Sequence, residues 1–204
     1  MSKSLHRIGL LALSLAAVAG CDMFKGDKKA STPSAAKADV AAEKKVAFAK
    51  IGPSKAAATQ PANNNVTGKV LFTESDGRVY IIADVSGLEP NSKHGFHIHE
   101  KGDLSAPDLS SAGAHFDPMA AKHHGEPNDM KHATNHAGDL GNLNADSKGN
   151  AHLELTVTDL TIDGPTNAVL GRSVIVHAKV DDFQTQPTGN SGGRVAGGVI
   201  ERQP

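Results

Sequence analysis

From Arg78 to Val85 the chain alternates. Val79, Ile81, Ala83 and Val85 recur at every second position, with Arg78, Tyr80, Ile82 and Asp84 between them. Side chains on a strand point to opposite faces in turn, so this run reads as a β-strand with one buried face. Asp76-Gly77, a hairpin signal, joins it to a strand-like run over 66–75. Further strand-like segments lie at 95–100, 150–158, 173–180 and 194–201, with 46–51 as the candidate first strand. Short strands separated by Gly, Asn and Asp make the folded part all-β, a sandwich or a Greek-key barrel.

The stretch 101–142 breaks that spacing. It holds no convincing strand or helix, yet it contains His115, His123, His124, His132 and His136. Connections of this length in compact domains are usually functional or disordered. A bound metal would supply the cross-link that such a segment lacks.

Lys3 and Arg7 precede an apolar run over 8–19, about the length of a secretory signal core and too short to span a bilayer. It ends in Val18-Ala19-Gly20-Cys21, which looks like a bacterial lipoprotein box, and Cys21 is the only cysteine in the chain. Residues 1–20 are therefore expected to be a signal peptide. Residues 21–45 form a lipidated N-terminus and flexible tether, rich in Ala, Lys, Ser and Pro. Residues 46–204 form one domain. This places the protein at the periplasmic face of a bacterial cell envelope, anchored to membrane through a lipid on Cys21. With Cys21 lipidated, no thiol is left for a disulfide in a compartment that permits one. From Ala56 onward 11 basic residues face 18 acidic ones, and aromatics make up 3% of the chain, which argues against nucleic acid as a partner.

Eight of the 11 histidines fall between His94 and His136. His97 and His99 sit at i and i+2 of a probable strand, so both rings leave the same face while Ile98 points into the core. His177, in Val174-Ile175-Val176-His177, can approach from another strand, and His115 supplies an imidazole from the long loop. Four imidazoles suit Cu(II). His136 and Asp139, three residues apart, could complete a tetrahedral zinc site with His124 and one nitrogen of His115. The other nitrogen of His115 would face copper. His94, His132 and His152 read as surface residues.

Five stretches occur in order: Gly95-Phe96-His97-Ile98-His99-Glu100, Ser111-Ala112-Gly113-Ala114-His115-Phe116-Asp117-Pro118, His136-Ala137-Gly138-Asp139-Leu140-Gly141-Asn142, Val174-Ile175-Val176-His177-Ala178 and Gly189-Asn190-Ser191-Gly192-Gly193-Arg194-Val195. Together they resemble the Cu/Zn superoxide dismutase family, from about Val46 to the C-terminus. The resemblance implies an eight-stranded Greek-key β-barrel or sandwich, immunoglobulin-like, with two long functional loops. It implies one copper on His97, His99, His115 and His177, and one zinc on His115, His124, His136 and Asp139. His124-Gly125-Glu126-Pro127 fits the family's His-Gly-x-Pro pattern, whereas spacing from His115 favours His123 as the rival ligand. Asp181 matches the aspartate that connects copper-side and zinc-side histidines. His115 and Arg194 match the catalytic residues: a metal-bridging, proton-carrying histidine and an arginine that guides the anion.

The implied reaction converts superoxide to oxygen and hydrogen peroxide through a copper redox cycle, with zinc as structural and tuning metal. The alternative is an exported copper- and zinc-binding lipoprotein that buffers or delivers metal without turnover. A homodimer is the oligomer the resemblance allows. The family's intramolecular disulfide is absent: the positions aligned with its two cysteines are Leu104 and Gly197. A bridge closing a loop of about 90 residues would contribute roughly 4 to 5 kcal/mol in the chain-entropy picture.

Overall fold

The computed structural model describes residues 44–57, 65–120, 123–127 and 135–203. The expectations for residues 1–43, including lipidation of Cys21, and that for His132 lie outside the described residues. Eight strands form one sheet: β1 (Lys45–Pro53), β2 (Thr67–Ser75), β3 (Arg78–Ser86), β4 (Lys93–His99), β5 (Asp139–Asn144), β6 (Ala151–Val157), β7 (Ser173–His177) and β8 (Arg194–Arg202). Their spatial order is β5-β4-β7-β8-β1-β2-β3-β6, and every neighbouring pair is antiparallel. The strands curl into a nearly closed barrel, the all-β architecture expected from the sequence.

The alternation in β3 does what it predicts. Val79, Ile81, Ala83 and Val85 are buried, while Arg78, Tyr80, Ile82 and Asp84 face outward. The β2–β3 turn carries positive φ at Asp76 (52°) and Gly77 (70°), and Ser75 pairs directly with Arg78. That is a type I′ turn, whose twist matches the strands it joins. The barrel interior is filled by small and branched side chains from the inner faces, among them Ala47, Ile51, Val70, Phe72, Phe96, Ile98, Leu143 and Ile200.

β4 and β7 depart from one-sided burial. All five residues of β7 are buried, as are the last six of β4. One face of each strand packs into the barrel and the other lies beneath the long connections, where His97, His99 and His177 are. His94, expected at the surface, is buried for the same reason. Its Nδ1 lies 2.8 Å from the carbonyl oxygen of His177, and its Nε2 lies 2.6 Å from Ser92 Oγ.

Two expectations about strand limits are corrected. β5 begins inside the segment read as strandless, because Asp-Leu-Gly-Asn-Leu-Asn has poor strand propensity and is held by its pairing with β4. β7 stops at His177 instead of continuing to residue 180. There the pairing with β8 shifts, since Val176 faces Ala196 but His177 faces Arg194. Such bulges re-aim side chains beside functional sites.

Candidate metal centre

The sheet register brings the first three imidazoles together. His97 and His99 leave one face of β4, and β7 runs alongside with Ile175 opposite His97 and Ser173 opposite His99. His115 arrives through an antiparallel bridge to His99, fixed by hydrogen bonds from Phe116 N to Ile98 O (2.8 Å) and from Glu100 N to Ala114 O (3.0 Å). Ring centroids of His97 lie 4.0 Å from His115 and 4.7 Å from His177, and those of His99 and His115 are 4.9 Å apart. One ring nitrogen from each of His97, His99, His115 and His177 lies within 4.8 Å of all the others.

The outer nitrogens of three of these rings are engaged. His99 Nδ1 is 3.0 Å from Gly113 O, His177 Nδ1 is 3.2 Å from Gly192 O, and His97 Nε2 is 2.8 Å from Asp181 Oδ2. Fixing one nitrogen aims the other and selects its tautomer. The inward nitrogens converge: His99 Nε2 and His177 Nε2 are 3.3 Å apart, while His97 Nδ1 and His115 Nε2 are buried with no hydrogen-bond partner. Orphaned buried nitrogens are costly in protein alone. Their convergence fits a metal, and imidazole donors fit copper.

A second set adjoins the first through His115. Asp139 Oδ1 lies 2.9 Å from His115 Nδ1, 3.0 Å from His124 Nδ1 and 3.4 Å from His136 Nδ1. Tetrahedral zinc with bonds of about 2.0 to 2.1 Å has ligand–ligand edges of about 3.3 Å, so these atoms fit that ion. His136 Nδ1 is another buried nitrogen without a hydrogen-bond partner. The group on this side whose ligand atoms all lie within 4.8 Å of one another is His97, His115, His124 and Asp139, and His136 stands outside it. However, Asp181 engages His97 Nε2, and its Nδ1 belongs to the first set. His123 is exposed and His124 buried, a contrast that adjacent histidines conceal in the sequence.

Asp181 joins the two sets. One carboxylate oxygen meets His97 Nε2 at 2.8 Å and the other meets His124 Nε2 at 2.7 Å. Asn142 fixes the backbone beneath it, donating from Nδ2 to Asp181 O and accepting from Asp181 N. A side chain at Gly189 would overlap Asp181 Oδ1 and His124 Nε2, so only glycine permits that approach. Gln186 was not foreseen. It accepts from His124 N through Oε1 and donates through Nε2 to His124 O. Distant loop contacts of this kind leave no periodic trace in sequence.

Charge states follow from these contacts. Burial lowers the pKa values of His97, His99 and His177, and brings His115 down to about 4. Burial would raise Asp139, but the neighbouring His115, His124 and His136 rings outweigh it and hold the carboxyl far below its usual range. Asp181 is brought down to about 2 against the effect of burial, by His124 and His97. His124, despite burial, is raised to about 9 by Asp139 and Asp181. Neutral imidazoles and ionised carboxylates are the forms that bind metal.

Arg194, half-buried, donates from Nη1 to Leu109 O (2.6 Å) and from Nη2 to Gly113 O (2.5 Å). Burial lowers its pKa, opposed by Asp108, and a guanidinium remains a fixed cation throughout. Alignment paired Leu104 with Gly197. Leu109 Cδ1 lies 3.2 Å from where a Gly197 Cβ would stand, and Leu104 packs half-buried at the edge of the same cluster. His152 is exposed as expected, 2.7 Å from Asp84 Oδ1.

An antiparallel barrel with two adjoining donor sets, one imidazole-rich and one completed by a carboxylate, defines a metalloprotein built for a pair of transition ions. Residues 66–200 match the family model for copper/zinc superoxide dismutase. The Cu-Zn superoxide dismutase of Paramecium bursaria Chlorella virus 1 is 40% identical over 141 residues, covering 66% of this chain and 72% of that one. The extracellular Cu-Zn superoxide dismutase of Brugia pahangi is 38% identical over 147 residues, covering 68% and 70%. The crystal structure of the clock protein EA4 aligns with a TM-score of 0.65 at 37% identity, over 78% of this chain and 95% of that one. The chain belongs to the copper/zinc superoxide dismutase family. It is an oxidoreductase acting on superoxide, with copper and zinc as cofactors.

Proposed function

We propose that copper is held by His97 through Nδ1 and by His99, His115 and His177 through Nε2. Zinc is held by the Nδ1 atoms of His115, His124 and His136 and by Asp139. The observation that carries this reading is the set of three buried nitrogens without a hydrogen bond, on His97, His115 and His136, where both ring nitrogens of His99, His124 and His177 are engaged.

Two superoxide anions and two protons give one oxygen and one hydrogen peroxide. Bound copper would supply one-electron redox chemistry, and bound zinc would supply fixed positive charge and a cross-link. Arg194 attracts and orients the anion, because the domain as a whole, with 11 basic against 18 acidic residues from Ala56 onward, repels it. His115 Nε2 is the atom that holds and gives up a proton for peroxide, since it is buried and uses no hydrogen bond. Asp181 keeps His97 and His124 in orientation.

The test is metal analysis and superoxide removal on the full chain loaded with copper and zinc. One equivalent of each metal, with activity abolished by His97→Ala, is the expected result. Stoichiometric copper with negligible turnover would instead make this a metal-buffering module.

For location, the reading is a signal peptide over 1–20, a lipid on Cys21, a tether over 21–45 and a catalytic domain over 46–204. The protein then faces the periplasm of a bacterial envelope. The apolar run ending at Cys21 supports it. So does the relative named as extracellular. Fatty-acid labelling lost on Cys21→Ser, with release of protein from membranes, is the expected outcome. Sedimentation of the released protein distinguishes a monomer from a homodimer.

A further inference from the structure

Arg194 takes its orientation from two carbonyls, Leu109 O and Gly113 O, both in the connection that follows β4. Those oxygens can hold the guanidinium only if the connection itself is fixed against the barrel. Leu109 is the large side chain that sets it there. It is buried with Ala112 and Ile175, and Leu104 packs against them, in a cluster separate from the main core. Its backbone is left-handed, φ 60° and ψ 17°, a region leucine seldom enters. That conformation accompanies an arrangement in which the carbonyl meets Arg194 while the side chain enters the wall between β7 and β8.

The wall is shaped to receive it. A Cβ on Gly197 would lie 2.7 Å from Ile175 Cδ1 and 3.2 Å from Leu109 Cδ1, so the missing side chain leaves the seat the leucine uses. The same connection has backbone ties from Lys101 N to Ala112 O (2.9 Å) and from Ala56 N to Pro107 O (2.8 Å). The Leu109 peptide itself bonds within the connection, from its N to Ala106 O (2.9 Å) and from Ala112 N to its O (3.1 Å), so these bonds do not join it to the barrel.

We infer that Leu109 is a positioning residue for Arg194: an apolar latch seated against Ile175 and Gly197 that holds the arginine-bearing geometry without a covalent link. This rests on the reading of Arg194 as the group that orients the anion. Because the latch contains no thiol, the join between connection and barrel is independent of redox state.

Azide, an anion that competes for copper, is the probe. Full chains loaded with copper and zinc are titrated with azide by absorption, and kcat/KM for superoxide is measured beside it. A displacement of about 1 Å in a positioned group costs up to about 10²-fold. Leu109→Ala is therefore expected to weaken azide binding and lower kcat/KM by about tenfold, approaching Arg194→Ala, with metal content unchanged. Leu109→Met restores both to within about threefold. Leu160→Ala, in the main core, lowers the melting temperature but leaves azide affinity at the wild-type value. If Leu109→Ala does not fold, Leu109→Val takes its place. Wild-type azide affinity in the Leu109 variant with weakened affinity in Arg194→Ala would overturn the latch and leave the role of Arg194 standing. Wild-type affinity in both would overturn both.

Discussion

His99 and Arg194 donate to the same acceptor, the carbonyl oxygen of Gly113, at 3.0 Å from His99 Nδ1 and 2.5 Å from Arg194 Nη2. One peptide thus sets both a ring of the imidazole-rich set and the cation beside it. Arg194→Lys keeps the charge but removes the fork that reaches Leu109 and Gly113 together. Its kcat/KM should fall by about tenfold, with copper content unchanged and with the rate still declining as salt is added. Stopped-flow rates over a series of ionic strengths check this. Unaltered kcat/KM would remove Arg194 from the mechanism.

Asp181 accepts from a ring on each side of the centre, and an asparagine supplies only one carbonyl oxygen for two N–H donors. Asp181→Asn should weaken zinc binding by about 10- to 100-fold, the usual cost of losing such a partner. Competition titration against a chromophoric chelator measures it. An unchanged affinity would mean that the His97 and His124 rings are fixed by packing alone.

The metal-free protein should be most stable near pH 6.5. His97, His99, His115 and His177 have lowered pKa values in the folded state, about 4 for His115. Below about 6.5 the unfolded chain therefore binds protons that the folded chain refuses, and stability falls with pH. His124 acts in the opposite sense. Raised to about 9, it contributes stability fully present below about 6.5 and lost as pH rises through 9. Urea unfolding at pH 5, 6.5 and 9 after chelation would show the maximum. Stability rising steadily toward pH 9 would contradict the pairing of His124 with Asp139 and Asp181.

Metal removal should lower the melting temperature sharply, and a reducing agent alone should not change it. The only cysteine is Cys21, so no intrachain disulfide can be reduced. A metal present at about 1,000 times its Kd stabilises the native state by about 4 kcal/mol. Calorimetry with and without chelator makes the comparison, and equal melting temperatures would mean the ions do not cross-link the long connections.

Much of this was legible in the chain. Strand-like runs located seven of the eight strands, and where burial is one-sided, as in β3, it writes itself into alternation. His97-Ile98-His99 gave two ligand candidates and a core residue from the pleat alone, as Ile98 in the barrel interior bears out. β5 was hidden, since its Gly and Asn residues are held by neighbours and not by propensity. His94 was misread as a surface residue, because burial on both faces of β4 depends on connections remote in sequence. The choice between His123 and His124 needed side-chain depth, which neither spacing nor composition encodes.

We propose that His115 is shared, with Nδ1 turned to zinc and Nε2 to copper. Diffraction from the copper- and zinc-loaded protein, using anomalous signals at both metal edges, tests it directly. The expected map has copper among His97, His99, His115 and His177, and zinc among His115, His124, His136 and Asp139. Two metals with no common imidazole, or zinc bound by His123, would contradict it.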